Sequence, residues 1–192
     1  RSRGLGDVYK RQTLLRWGAG MGALGLASMA VAQTTVPPEV QAQLPQAKPA
    51  GSTRMRFFGL SLYDARLWVA PGFAPAHYAA SPLALELRYL RALNGNAIAE
   101  RALQEMQRGG PLDRAAEQRW LQAMVGTFPD VNAGDRLTGL HQPEGGARFY
   151  FNGQLRSTVA DSAFSERFFG IWLAPWTSEP RLRGELLAGL TP

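Results

Sequence analysis

The sequence predicts an α+β fold in which a large antiparallel sheet is covered on one face by helices. Two strand-like segments with alternating apolar residues are followed by two segments with helical apolar spacing, and further strands and helices come after them. Strands and helices grouped in this way are typical of α+β domains. Asn152 and Gly153 add the strongest hairpin signal of the chain, because both residues tolerate the positive φ angles of a two-residue turn.

The first predicted strand covers residues 54–69, which are apolar and rich in aromatic side chains. Polar and apolar residues alternate around Tyr63, which favours a strand, and the aromatic content favours a half-buried pleated surface. Gly59 lies where a bulge or a bend is expected. Arg54 stands at the start of this strand, where a guanidinium is able to serve a ligand site.

The remaining elements are predicted from the same two patterns, the alternation of apolar residues in strands and their helical spacing in helices. Asp113 is a suitable N-cap for the second helix, and Asp161 or Ser162 is suitable for the third. The predicted elements are a strand at 83–90, helices at 97–108 and 113–125, strands at 136–140, 147–151 and 155–159, a helix beginning at 161 or 162, and a last helix beginning near 178.

The N-terminal residues are predicted to lie outside the folded domain. Arg16 precedes an uncharged apolar run that ends in Ala30-Val31-Ala32, the pattern of a secretory signal peptide. We therefore expect a periplasmic or secreted protein cleaved near Ala32, and the sequence leaves general and twin-arginine export open. The predicted organisation is a non-native scar at 1–12, a signal peptide at 13–32, an extended or mobile lead-in rich in Pro and Gln at 33–50, and the folded domain at 51–190.

Composition excludes several classes of site. The chain has no cysteine, which excludes disulfides, a thiolate nucleophile and Cys-ligated metals. The two histidines lie in loop-like stretches, so no metal or other cofactor is predicted. Of the formal net charge of +6, residues 1–32 carry +4, and the rest of the chain carries only +2. This charge distribution does not favour a nucleic-acid partner.

Several segments together resemble the chalcone isomerase family. They are residues 57–68, Leu93-Asn94-Gly95, Phe128-Pro129, the hairpin at 146–153 and the helix at 164–172. In content and order they are similar to the exported bacterial branch of that family over roughly residues 51–190. The resemblance implies an open-faced β-sandwich, with a ligand cleft between a large antiparallel sheet and the helices layered on it.

The plant enzymes of this family close a flavanone ring. This sequence matches poorly the residues that those enzymes use for that reaction. Those enzymes use an Arg on an early strand together with a Thr, a Tyr and an Asn. In this sequence the Thr position falls at Phe58, the Tyr position near Ile98 and the Asn position near Glu105. We therefore assign no catalytic residue.

The same fold also occurs as fatty-acid-binding proteins, in which an Arg and a Tyr hold the carboxylate. By this resemblance Arg54 and Tyr63 are the predicted ligand-binding residues, because a guanidinium fork suits a carboxylate. The alternatives for Arg54 are a side chain that faces solvent or an ion pair with an acid such as Asp64 or Glu86. The candidate walls of the cleft are Phe57, Leu62, Trp68, Phe168 and Trp172.

Three hypotheses for function follow. The favoured one is an exported, non-catalytic binder of a small amphipathic anion such as a fatty acid. The second is an intramolecular lyase of the chalcone isomerase type, and polar residues at positions 58, 98 and 105 would have favoured it. The third is an interaction module of the cell envelope. A small hydrophobic or amphipathic ligand is the predicted partner.

Overall fold

The computed structural model describes residues 35–190, which contain a six-stranded sheet. Each strand pairs antiparallel with its sequence neighbours, in the order β1-β2-β3-β4-β5-β6, so that the sheet is an open meander. The predicted α+β class is confirmed. The strands are β1 (Lys48–Phe57), β2 (Leu60–Val69), β3 (Leu83–Tyr89), β4 (Arg136–Gln142), β5 (Gly146–Phe151) and β6 (Gln154–Val159).

Within residues 35–190, five α-helices accompany the sheet, and three of them begin at a capping side chain. Asn94, Asp113 and Asp161 each accept a hydrogen bond from a backbone N–H of the first turn, at distances of 3.1, 2.8 and 2.9 Å. Among residues 35–190, no helix is long and apolar enough to cross a membrane. The helices are α1 (Pro38–Gln43), α2 (Gly95–Gln107), α3 (Arg114–Thr127), α4 (Ser162–Leu173) and α5 (Pro180–Leu187), with short 3-10 helices at Pro75–Ala80 and Ala188–Leu190.

The sheet has two packed faces, because successive side chains of a strand point to opposite sides. In β3, Leu85 and Leu87 pack into the main core with α2, α3, α4 and α5. Ala84, which precedes Leu85, packs on the other face in a smaller cluster. The predicted layer of helices on one face is therefore present, and a second, smaller layer covers part of the opposite face.

That second layer is α1, and it corrects the sequence interpretation of residues 33–50. Within the described part of this segment, Val40 is fully buried against the sheet, and the carboxylate of Glu39 accepts hydrogen bonds from Arg136 and from Thr138. Pro38 occupies the first turn of the helix, where its missing N–H costs nothing. β1 also begins at Lys48 rather than near residue 51. The prediction of an extended or mobile lead-in is wrong for residues 38–50.

The predicted single strand at 54–69 is in fact a hairpin. Phe58 and Gly59 have φ angles of +47° and +78° and separate β1 from β2. Asn152 and Gly153 at the confirmed β5–β6 hairpin show nearly the same values, +49° and +86°. Two consecutive positive φ angles are the signature of the tight turn that suits strand twist, so Phe58 takes the place that Asn usually holds.

α5 packs tightly on β1. The Thr53 hydroxyl donates to Glu185 Oε2 at 2.5 Å. A Cβ atom on Gly51 would lie 2.4 Å from the Glu185 carbonyl oxygen, so only glycine permits this approach. The C-terminal helix is thereby fixed against the first strand.

His141 joins β4 to α4 in the buried interior. Its Nδ1 lies 2.7 Å from Ser165 Oγ and its Nε2 lies 2.9 Å from the Ala79 carbonyl oxygen, and both side chains are almost completely buried. Since a carbonyl oxygen only accepts, Nε2 carries the proton and donates to Ala79. Burial lowers the pKa of His141 below its usual value.

We expect this histidine to make stability depend on pH. Because the folded-state pKa is lowered, the unfolded chain binds the proton more readily, and stability is lost as pH falls below about 6.5, the unfolded value. The melting temperature should therefore decrease between pH 7.5 and pH 5.5, measured by circular dichroism. His141→Gln should lower the melting temperature at pH 7.5 and flatten this dependence. An unchanged slope in the variant would contradict the assignment to His141.

Candidate functional site

A cavity of about 310 Å³ lies between the helix-facing side of the sheet and α2, α4 and α5. This volume falls at the lower end of the range of small-molecule sites, about 300–1,000 Å³. Most of the wall is apolar, and the polar residues are few. The apolar wall includes Met55, Phe57, Leu62, Leu87, Leu93, Ile98, Phe128, Leu137, Phe168, Ile171, Trp172 and Leu182.

The position of α2 is fixed by its N-terminus. Asp130 Oδ1 accepts hydrogen bonds from the Gly95 N–H at 2.8 Å and from Asn94 Nδ2 at 2.9 Å. A Cβ atom on Gly95 would lie 2.2 Å from the Phe128 carbonyl oxygen, so glycine is required for this close approach. α2 then presents the small side chains of Ala97 and Ala102 to the cavity, which leaves the space open.

Packed aromatic rings form the deep wall. Phe168 contacts Phe149, Phe164 and Trp172 at centroid distances of 5.1, 5.7 and 5.4 Å. Such ring pairs add about 0.5–1.5 kcal/mol beyond the area they bury. These contacts fix the position of the Phe168 ring at the cavity wall.

Tyr63, one of the two predicted ligand-binding residues, lies on the cavity wall. Trp172 Nε1 donates a hydrogen bond to its hydroxyl oxygen at 3.1 Å. Burial raises the pKa of Tyr63 to about 12, so the hydroxyl keeps its proton at neutral pH. Tyr89 lies beside it, with ring centroids 6.0 Å apart, and burial raises its pKa as well. Both hydroxyl groups are neutral donors, and the binding role of Tyr63 stays a prediction.

Arg54, the other predicted residue, is not part of the cavity. Its side chain lies on the opposite face of the sheet and pairs with Asp64 through two contacts, Nε to Oδ1 at 2.6 Å and Nη2 to Oδ2 at 2.9 Å. The guanidinium is half exposed. The alternative of an ion pair with Asp64 is therefore the arrangement found. Trp68 also lies on that other face and is not a cavity wall, whereas the other four candidate wall residues line the cavity.

The cationic residue at the cavity is Arg101 on α2, which the sequence analysis did not identify. Its Nη2 lies 2.5 Å from Glu105 Oε1, and its Cζ lies 5.8 Å from the centroid of the Phe57 ring. The Arg101 side chain is 56% exposed, which places it at the mouth. The sequence does contain a signal for Arg101. It is an Arg and a Glu four residues apart, on the helix face that also carries Ala102.

Glu105 is a buried carboxylate with incomplete pairing. The residue is 8% exposed, and its Oε2 has no hydrogen-bond partner among the described residues. Arg108 Nε lies 3.7 Å from this oxygen, beyond hydrogen-bond distance. Glu179 also lines the cavity. The lining therefore carries one cation and two carboxylates.

Comparisons with known proteins agree with this geometry. A family model described as chalcone isomerase-like matches residues 29–188. The chain belongs to the chalcone isomerase-like family. The resemblance noted in the sequence is thus confirmed.

Two proteins similar to this chalcone isomerase-like chain define how far the likeness extends. An uncharacterized protein of Haemophilus influenzae is 32% identical over 106 residues, which is 55% of this chain and 52% of that protein, so the alignment spans about half the length of the curated relative. The crystal structure of an Arabidopsis thaliana fatty-acid binding protein superposes with a TM-score of 0.53 at 12% identity, over 76% of this chain and 91% of the other. At this identity, the second likeness establishes the fold.

The structure gives the places of the three positions that were expected to hold the catalytic polar groups of chalcone isomerases. Phe58 lies at the exposed β1–β2 turn, outside the cavity, whereas Ile98 and Glu105 line it. An apolar side chain and a carboxylate provide neither the hydroxyl nor the amide expected at those two places. Among residues 35–190, no group of His, Asp and Glu side chains is placed to hold a metal ion.

The pairing of Arg101 with Glu105 should be visible in stability. Arg101→Ala leaves the buried carboxylate without its close cation and should lower the free energy of unfolding by about 1–2 kcal/mol. Glu105→Leu removes the buried charge and should raise it by about 1 kcal/mol. Urea unfolding measures both changes.

The matched control is the exposed i,i+4 pair of Arg181 with Glu185, whose cation is 91% exposed. Arg181→Ala should change the free energy of unfolding by less than about 0.5 kcal/mol. Equal losses for Arg101→Ala and Arg181→Ala would contradict the burial argument for Glu105.

Proposed function

We propose that this protein binds a small amphipathic molecule without transforming it. The observation that carries the proposal is the cavity itself, an apolar space whose lining includes few charged residues, Arg101, Glu105 and Glu179. The apolar part of the ligand would replace solvent along the walls, gaining about 25 cal/mol per Å² of apolar surface removed from water. The fatty-acid binding function named for the Arabidopsis structure of the same fold supports this class of ligand.

We further propose that the ligand is an anion such as a fatty acid and that Arg101, rather than Arg54, receives its headgroup. Arg101 contacts Glu105 through Nη2, and a guanidinium has five N–H donors, which leaves donors for a ligand carboxylate. Tyr63 adds a neutral hydroxyl donor nearby in the wall. Glu105 and Glu179 oppose a second negative charge, so affinity for an anion is set by the balance between one guanidinium and two carboxylates.

Binding of decanoate and of the neutral decanol, measured by isothermal titration calorimetry, tests both parts. Arg101→Gln should weaken decanoate binding about tenfold, since a hydrogen bond to a charged group contributes about 1.5–3 kcal/mol. It should leave decanol unchanged. Glu105→Gln should strengthen decanoate binding, because it removes a negative charge from the wall.

A pair of variants on α2 tests the cavity itself. Ala97 is exposed and lines the mouth, so Ala97→Trp should obstruct entry and weaken both ligands without disturbing the core. Gln104→Trp, on an exposed position of the same helix outside the lining, should leave both affinities unchanged. Undiminished binding in Ala97→Trp would exclude the cavity as the site, whereas an unaltered decanoate affinity in Arg101→Gln would exclude only the headgroup role.

We also propose export, which the basic and apolar pattern of residues 13–32 supports. These residues lie outside the described part of the chain. When the protein is produced in a bacterium, the mature form should appear in the periplasmic or extracellular fraction with an N-terminus near Gln33, as determined by mass spectrometry. Replacing Ala30 and Ala32 with Phe should cause the uncleaved precursor to accumulate. Finding the uncleaved protein only in the cytoplasm would contradict export.

A further inference from the structure

The β1–β2 turn exposes three large apolar side chains in four consecutive residues, Phe57 to Leu60, which we call the aromatic tip. Phe58 is 89% exposed, Leu60 54% and Phe57 46%. Single exposed apolar residues are common on soluble proteins, and Val125 and Leu155 are such cases here. A cluster of this size at one projecting turn is unusual and marks a contact surface.

The backbone conformation of Phe58 indicates that its ring does not stabilise the fold. Its φ angle of +47° lies in the left-handed region, which glycine and asparagine accept and bulky residues rarely adopt. Among residues 35–190, the Phe58 ring pairs only with the neighbouring Phe57 ring, with 4.5 Å between the ring centroids. Strained backbone positions cluster at functional sites, so an exposed ring at such a position favours a role in contact with another surface.

Arginine residues lie near the tip. Arg56 is exposed and lies within β1 beside Phe57. Leu90 N–H donates to the Leu62 carbonyl oxygen at 2.9 Å, so the next residue, Arg91, lies near the start of β2. Two carboxylates near this turn pair with other arginines. Asp64 pairs with Arg54, and Glu105 pairs with Arg101. Within residues 35–190, neither Arg56 nor Arg91 forms an ion pair, although Glu185 lies within electrostatic reach of Arg56.

The tip is continuous with the cavity. Phe57 belongs to the tip and also lines the cavity mouth, where Arg101 lies over its ring. Apolar and aromatic side chains flanked by arginines are typical of segments that lie in the interface of a lipid bilayer.

We propose that the aromatic tip inserts into the interfacial layer of a bilayer containing anionic lipids, which places the cavity mouth against the membrane surface. The aromatic side chains bury apolar area among the acyl chains, and the arginines contact the headgroups. The docking itself is independent of the ligand. Transfer of a ligand from bilayer to cavity is a consequence that rests on the proposed function.

Co-sedimentation with vesicles tests the docking. We expect the protein to bind vesicles of phosphatidylcholine mixed with phosphatidylglycerol more tightly than vesicles of phosphatidylcholine alone. Phe58→Gly should weaken binding roughly tenfold, and it should not lower the melting temperature, because glycine accepts the positive φ angle. Arg56→Gln should weaken binding to the anionic vesicles about fivefold, and added salt should reduce it further.

Two controls isolate the tip. Leu155→Ser changes a similarly exposed apolar residue on β6, 57% exposed, and should bind vesicles like the unchanged protein. Phe58→Gly, at a position outside the cavity lining, should bind decanoate like the unchanged protein, so loss of ligand binding and loss of docking are distinguishable. All variants keep the same N-terminal residues, so differences between them report the tip.

Two outcomes would overturn the proposal. One is vesicle binding by Phe58→Gly as tight as that of the unchanged protein. The other is a dimer in analytical ultracentrifugation that Phe58→Gly dissolves, without any difference between these proteins in vesicle binding. That result would assign the tip to contact with a second copy of this chain.

Discussion

The alternation of side chains across the sheet decides which residues of this protein meet the cavity. On β1, Met55 and Phe57 face the helices. Arg54, which precedes Met55, and Arg56, which follows it, must therefore face away from the helices. On β2, Tyr63 pairs with Met55 whereas Ser61 pairs with Arg56, which leaves Leu62 as an extra residue in a β-bulge. The bulge allows Leu62 and Tyr63 both to reach the cavity. A shift by one residue would exchange the charged face with the ligand-facing one.

The cavity is an interruption in an otherwise densely packed core. The rings of Phe149, Phe164, Phe168 and Trp172 fill the interior beside it, while the two alanines of α2 leave the space above the end of the sheet unfilled. Protein interiors are usually packed without such voids, because unfilled apolar space costs stability. A ligand that fills the space stabilises the folded state by an amount that rises with the logarithm of its free concentration, once this exceeds the dissociation constant. Stability and binding are therefore linked in this architecture.

Sequence reasoning succeeded where the signal was local and failed where it depended on tertiary placement. Asp113, Asp161 and the Asn152-Gly153 turn act within a few residues, and all three predictions are confirmed. The Phe58-Gly59 turn was missed because phenylalanine is a strand former that rarely adopts a positive φ angle. Arg54 was assigned to the wrong face because sequence alone does not give the phase of a strand. Arg101 gained its place at the cavity only from the packing of α2.

The contact between α5 and β1 has a consequence for folding during synthesis. Leu182 and Glu179 complete the same wall to which Met55 of the first strand contributes, although they lie far from it in sequence. Until the ribosome has synthesised α5, β1 lacks the helix that covers its inner side. A nascent chain that has not reached α5 therefore presents Met55 and Tyr63 to chaperones.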